Sequence, residues 1–254
     1  MKFLIPIVIT ILGCNSYTSY IVPDSKKTEF ISNKRIALIG FMNYEFHMSN
    51  DRQGNAYRSS ASLNYNNSMK QFFPAGKDIS SFNTNNINNQ IGRENCLDFV
   101  YEYLNVVKDS GEKELKKFID INLTPDTSKS TCSVKSKNVD YYILGIPGKP
   151  FNSWTNYDES FIGYIKNAIS VLTLFIVPSK QAEPVNAYFY VYDSRLNLID
   201  KFEYKKQVII TTSWWFNLYL DENENVFKEI NQSILKSQEN ITKEFSFDFN
   251  TKYK

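Results

Sequence analysis

The run Ile36-Ala37-Leu38-Ile39-Gly40-Phe41 decides the fold class. A strand with one wet face alternates apolar and polar side chains. An unbroken apolar run of this length belongs to a strand covered on both faces, as in a sheet flanked by helices. Val139 to Ile146 (VDYYILGI) reads as the next strand, halted by Pro147-Gly148. Between the two, Leu97, Val100, Leu104 and Val107 share one helical face, and Ser110-Gly111 ends or kinks that helix. Leu115, Phe118 and Ile119 predict a second short helical piece, stopped before Pro125. Strand, helices and strand make a crossover unit, which implies parallel pairing of the two strands.

Further along, Val185 to Tyr192 (VNAYFYVY) reads as a strand. Asp193-Ser194-Arg195 with Asn197 supplies a turn, and Ile199 to Thr211 returns antiparallel. Asp221 with Glu224 three residues on has the capping-box pattern. Phe227, Ile230, Ile234 and Ile241 follow at helical spacing, so a helix is predicted over Glu222 to Lys243. The order β-α-β-β-β-α predicts an α/β (α+β) fold with a mixed sheet flanked by helices.

Two polar stretches lie outside this pattern. Met42 to Ile91 is rich in Asn and Ser with isolated aromatics, and reads as a polar insertion at about residues 42–91 within one domain spanning 34–248. Weak alternation between Tyr57 and Tyr65 leaves room for a hairpin inside it. Asn15 to Asn33 carries Ser, Thr, Lys and Pro23 without periodicity and is expected to be a flexible tether.

Apolar residues make up 42% of the chain and aromatics 15%, enough for a packed core. The formal net charge is +2, with lysines scattered among Asp and Glu, which argues against nucleic acid as a partner. The single histidine, His47, excludes multi-histidine metal sites and makes any Ser-His-Asp arrangement depend on that residue. The nine glycines form no phosphate-cradling motif, and no cofactor is expected. Asp158-Glu159 and the Asp221, Glu222, Glu224 cluster are the acidic groupings, and the second already fits a helix start, where negative charge is favourable.

The most unusual stretch is Phe161 to Pro178 (FIGYIKNAISVLTLFIVP), apolar or hydroxyl-bearing from Ala168 to Val177 and too short to cross a bilayer. Ile169, Leu172, Leu174 and Phe175 from this run, with Trp214, Trp215 and Phe216, form either part of the core or a surface for membrane or partner.

Lys2 supplies a positive start, and Phe3 to Gly13 (FLIPIVITILG) is one apolar stretch of signal-peptide length. Ile11-Leu12-Gly13-Cys14 resembles a bacterial lipobox of the loose kind found in spirochaete lipoproteins. The resemblance implies removal of residues 1–13, diacylglycerol on Cys14 and acylation of the new amino terminus. Each buried methylene then contributes about 0.8 kcal/mol to membrane binding. Asn15 following the cysteine is not the Asp of enteric inner-membrane retention, so outer-membrane placement is preferred to inner. With Cys14 committed to lipid, Cys96 and Cys132 are left as either a disulfide or two buried free thiols.

The order of elements and the strand Asp140-Tyr-Tyr-Ile-Leu-Gly145 are similar to envelope lipoproteins with a domain like the amino-terminal one of TolB or of curli-secretion lipoproteins. The resemblance implies a fold and no catalytic residues. The functional expectation is a membrane-anchored, non-enzymatic lipoprotein, an accessory, assembly or host-interaction module with an envelope or host protein as partner. The alternatives are a periplasmic carrier of an apolar ligand or lipid, and an envelope hydrolase dependent on His47.

Overall fold

The computed structural model describes residues 17–21, 33–50, 57–73, 77–78, 86–107, 112–135, 137–148, 172, 179–213 and 224–253. Strands β1 (Tyr17–Ile21), β2 (Arg35–Gly40), β5 (Lys77–Asp78), β8 (Tyr141–Pro147), β9 (Ser179–Tyr192) and β10 (Leu198–Ser213) form one mixed sheet in the order β1-β10-β9-β8-β2-β5. β2 runs parallel to β8 and to β5, while β8-β9, β9-β10 and β10-β1 are antiparallel. The fold is therefore α/β (α+β), a mixed sheet with helices on both faces. Two hairpins stand outside the sheet: β3 (Met42–Asn50) with β4 (Tyr57–Ser68), and β6 (Ile119–Asn122) with β7 (Thr131–Val134).

The period of two on each strand sorts the core into two halves. Ala37, Ile39, Tyr142, Leu144 and Ile146 face helix α1 (Arg93–Val107), which contributes Cys96, Phe99, Val100 and Tyr103. Ile36, Leu38, Ile143, Val185, Phe189 and Val208 face helix α3 (Glu224–Lys252) through Ile241, Phe245 and Phe249. This is why β2 and β8 are apolar without alternation: neither face meets water.

Several sequence expectations are amended. Leu115-Phe118-Ile119 has helical spacing, but helix α2 covers only Glu112–Leu115, and Ile119 opens β6, pairing with Val134. Within the stretch expected to be a tether, Tyr17–Ile21 form an edge strand on β10, in keeping with the strand propensity of Tyr-Thr-Ser-Tyr-Ile. The polar insertion holds the β3–β4 hairpin, a 3-10 turn at Met69–Phe72 and β5. Helix α3 runs nine residues beyond the expected Lys243, because Phe245 and Phe249 continue the Ile241 stripe at steps of four. The packed unit consequently continues past residue 248 to Tyr253, which stacks on Tyr141 and Phe249.

The carboxyl ends of β2 and β8 are closed by backbone geometry. Gly40 has φ +77°, and a Cβ there would lie 2.4 Å from the Gly145 carbonyl oxygen, so only glycine fits. Phe41, also left-handed at φ 56°, donates its N–H to that carbonyl at 2.8 Å and lays its ring where a Gly145 Cβ would stand. Glu114 completes the closure, accepting from the Gly40 N–H at 3.1 Å, from Lys70 Nζ at 2.8 Å and from the buried Tyr103 hydroxyl. The amino ends of the same strands are joined by Asp140, which accepts from the Arg35 backbone N–H at 2.7 Å and pairs bidentately with its guanidinium.

Candidate functional site

In open α/β sheets ligands commonly bind beyond the carboxyl ends of the strands. Here Phe41, Gly40 and Glu114 fill that position, and the space between Phe41, Gly145 and Gln238 is only about 10 Å³. A larger open space lies along α1. A groove of about 1050 Å³ runs between the helix, Leu123 after β6, and the β9–β10 turn.

One wall is a stripe of α1: Asn95, Asp98, Glu102 and Asn105 recur at steps of three and four, on the flank beside the buried face. Two links fix this wall. Cys96 and Cys132 form a disulfide with Cα atoms 5.8 Å apart, tying α1 to β7. Arg93 donates to the carbonyls of Ser130 and Ser128 at 2.9 and 3.1 Å. The opposite wall is the β9–β10 turn. There Asp193 accepts from the backbone N–H groups of Arg195 and Asn197 at 2.8 and 2.9 Å, an Asx-type arrangement that holds Leu196 at φ 60° with its side chain buried. Asn95 Nδ2 reaches across to the Arg195 carbonyl and to Asn197 Oδ1, joining helix and turn at one end of the groove.

Tyr192 forms the floor, 5% exposed, its ring edge-on to Phe99 at 4.9 Å. Among the described residues its hydroxyl has no hydrogen-bond partner. Burial, reinforced by the negative charges of Glu102 and Asp98, pushes its pKa well above the ordinary tyrosine value, so it stays protonated and able to donate. Burial and Glu102 likewise raise Tyr190 next to the groove. Lys201 lies 4.7 Å above the Tyr190 ring and 3.8 Å from Glu102. Asp98 has no ion pair among the described residues. The lip is apolar and aromatic: Tyr101 and Leu123 are each 38% exposed, and Leu198 is similarly open.

Of the residues singled out in the sequence, Cys96 and Cys132 belong to the groove wall, and most of the others are not described. Cys14, Ile169, Leu174, Phe175, Trp214, Trp215 and Phe216 are outside the described residues, as are Asp158, Glu159, Asp221 and Glu222. Leu172 is described singly and is 82% exposed. His47 sits on β3 opposite Ser60. Among the described residues there is no cluster of three or more His, Cys, Asp or Glu able to hold a metal, and no helix long and apolar enough to cross a membrane. The groove is not legible in the apolar stripe of α1. The polar spacing Asn95-x-x-Asp98-x-x-x-Glu102-x-x-Asn105 was the signal available. Leu97 and Val100 of the expected apolar stripe are core and Leu104 packs against it at the edge of the groove, while Cys96, Phe99 and Tyr103 widen the buried face.

Comparison of the chain with protein-family models, with curated proteins and with solved structures finds no match.

Proposed function

We propose that the chain is an exported lipoprotein of a bacterial envelope, held on the membrane by acylated Cys14. Its α/β domain serves as a non-enzymatic module that binds an envelope or host protein. The observation that carries this reading is the Cys96–Cys132 disulfide joining α1 to β7. Structural disulfides persist in oxidising compartments outside the cytosol, and a bridge across this loop contributes about 3–4 kcal/mol in the chain-entropy model. It accounts for two of the three cysteines and leaves Cys14, at the end of an apolar leader, for lipid. The binding role is supported by the groove, whose walls are pinned by covalent and hydrogen-bonded links while its lining presents Asp98, Tyr101 and the Tyr192 hydroxyl to solvent. Outer-membrane placement goes with the Asn15 that follows the cysteine.

Metabolic labelling with palmitate tests the anchor. The wild-type chain is expected to carry label and partition into detergent, and Cys14→Ala to lose both properties. Label retained by Cys14→Ala would overturn the reading.

A further inference from the structure

We propose that the groove along α1 binds an extended peptide segment of a partner protein, with an arginine side chain of that segment paired to Asp98. The inference deepens the binding-module reading above by naming the site and the chemistry of its partner.

The groove has a sign. Among the described residues its lining includes two carboxylates, Asp98 and Glu102, and no lysine or arginine. Lys201 approaches from beyond the rim and offsets Glu102, which leaves Asp98 as the uncompensated charge among the described residues. A cation is the complementary occupant. Tyr101, three residues from Asp98 on the same helix, stands at the lip with its ring partly open. A carboxylate beside an aromatic face suits guanidinium better than ammonium, because the planar fork pairs bidentately with one and stacks on the other.

Size and floor argue for a segment of chain rather than a free amine. The volume of about 1050 Å³ is at the upper end of the roughly 300–1000 Å³ usual for ligand pockets, and it is spread along the helix. From Asn95 to Asn105 the helix rises about 15 Å, the length of some four or five extended residues at about 3.3 Å each. The Tyr192 side chain is buried in the floor, and its hydroxyl, without a partner among the described residues, meets the groove as a donor placed for a carbonyl of the bound backbone. Asn105 can meet a peptide group further along, and Leu123 and Leu198 offer apolar contact to a flanking side chain.

The test uses the purified full-length chain in non-ionic detergent on an array of pentapeptides with randomised flanks. The central residue is arginine, lysine, glutamine or glutamate. Arginine-centred peptides are expected to bind at least tenfold more strongly than glutamine- or glutamate-centred ones. Asp98→Asn is expected to abolish that preference, and Tyr192→Phe to weaken binding several-fold for every peptide. Asp98 is exposed and unpaired, so its variant should melt with the wild type, which separates lost recognition from lost folding. Equal binding to arginine and glutamine centres would overturn the proposal, as would an arginine preference that survives Asp98→Asn. The readout does not involve lipid, so failure here and failure of palmitate labelling are distinguishable.

Discussion

Asp140 shows how one side chain sets the register of a sheet. It accepts from the Arg35 backbone and guanidinium together, fixing the amino ends of the parallel pair β2 and β8. Hydrogen bonding from Arg35 is the largest influence on its carboxyl and, against the opposing effect of partial burial, holds its pKa below the ordinary aspartate value. A carboxylate depressed in the fold stabilises above its unfolded pKa of about 3.9, and that stability is lost as pH falls through the folded value. Urea denaturation at pH 7 and at pH 3 should therefore find Asp140→Asn less stable than wild type at neutrality and the gap narrowed in acid. Both side chains are about one third exposed or more, so solvent screening keeps the gap small. A gap equal at the two pH values would contradict this role. Gly40 is the other decisive residue: its place at the end of an apolar run was legible, but its left-handed φ was not, because the requirement comes from Gly145 across the sheet.

Elements were legible to the extent that their periodicity reports burial. Unbroken apolarity in Ile36–Phe41 implied a strand covered on both faces, and the strand-helix-strand order through Val139–Ile146 implied the parallel pair. Asp193 and Asn197 marked the β9–β10 turn, whose side-chain hydrogen bonds are local and so are written locally. Helix α3 was cut short because Ser246, Asp248 and Asn250 dilute its last turns. Two of them make hydrogen bonds: Asn250 Nδ2 donates to the Ser246 carbonyl at 2.8 Å, and Asp248 accepts from Tyr204. What holds that end is Phe245, stacked 4.0 Å from Phe189 and ringed by Phe73, Phe202 and Tyr204. Phe245→Ala should cost about 3–5 kcal/mol, read as a fall in the denaturant midpoint at unchanged slope. A loss under about 1 kcal/mol would mean α3 is not packed on the sheet in this way.

For the whole molecule, the fold class followed from a handful of stretches, whereas the groove did not. Its lining comes from α1, from Leu123 and from the turn after Tyr192, segments that only the tertiary structure brings together. Its four polar helix residues read in sequence as an ordinary solvated face, which is what such a stripe is when nothing stands opposite. Here the β9–β10 turn does. The proposed compartment rests on the cysteines: Cys96 and Cys132 form a bridge that pins the groove wall, and Cys14 is the residue proposed to carry lipid. Intact-mass spectrometry of the chain purified from its own membranes, alkylated without prior reduction, reads both assignments at once. The expected mass is that of a chain beginning at acylated Cys14, lacking residues 1–13, with Cys96 and Cys132 unalkylated. A chain that keeps Met1, or one alkylated at Cys96 and Cys132, would contradict an exported, lipid-anchored and disulfide-bonded protein.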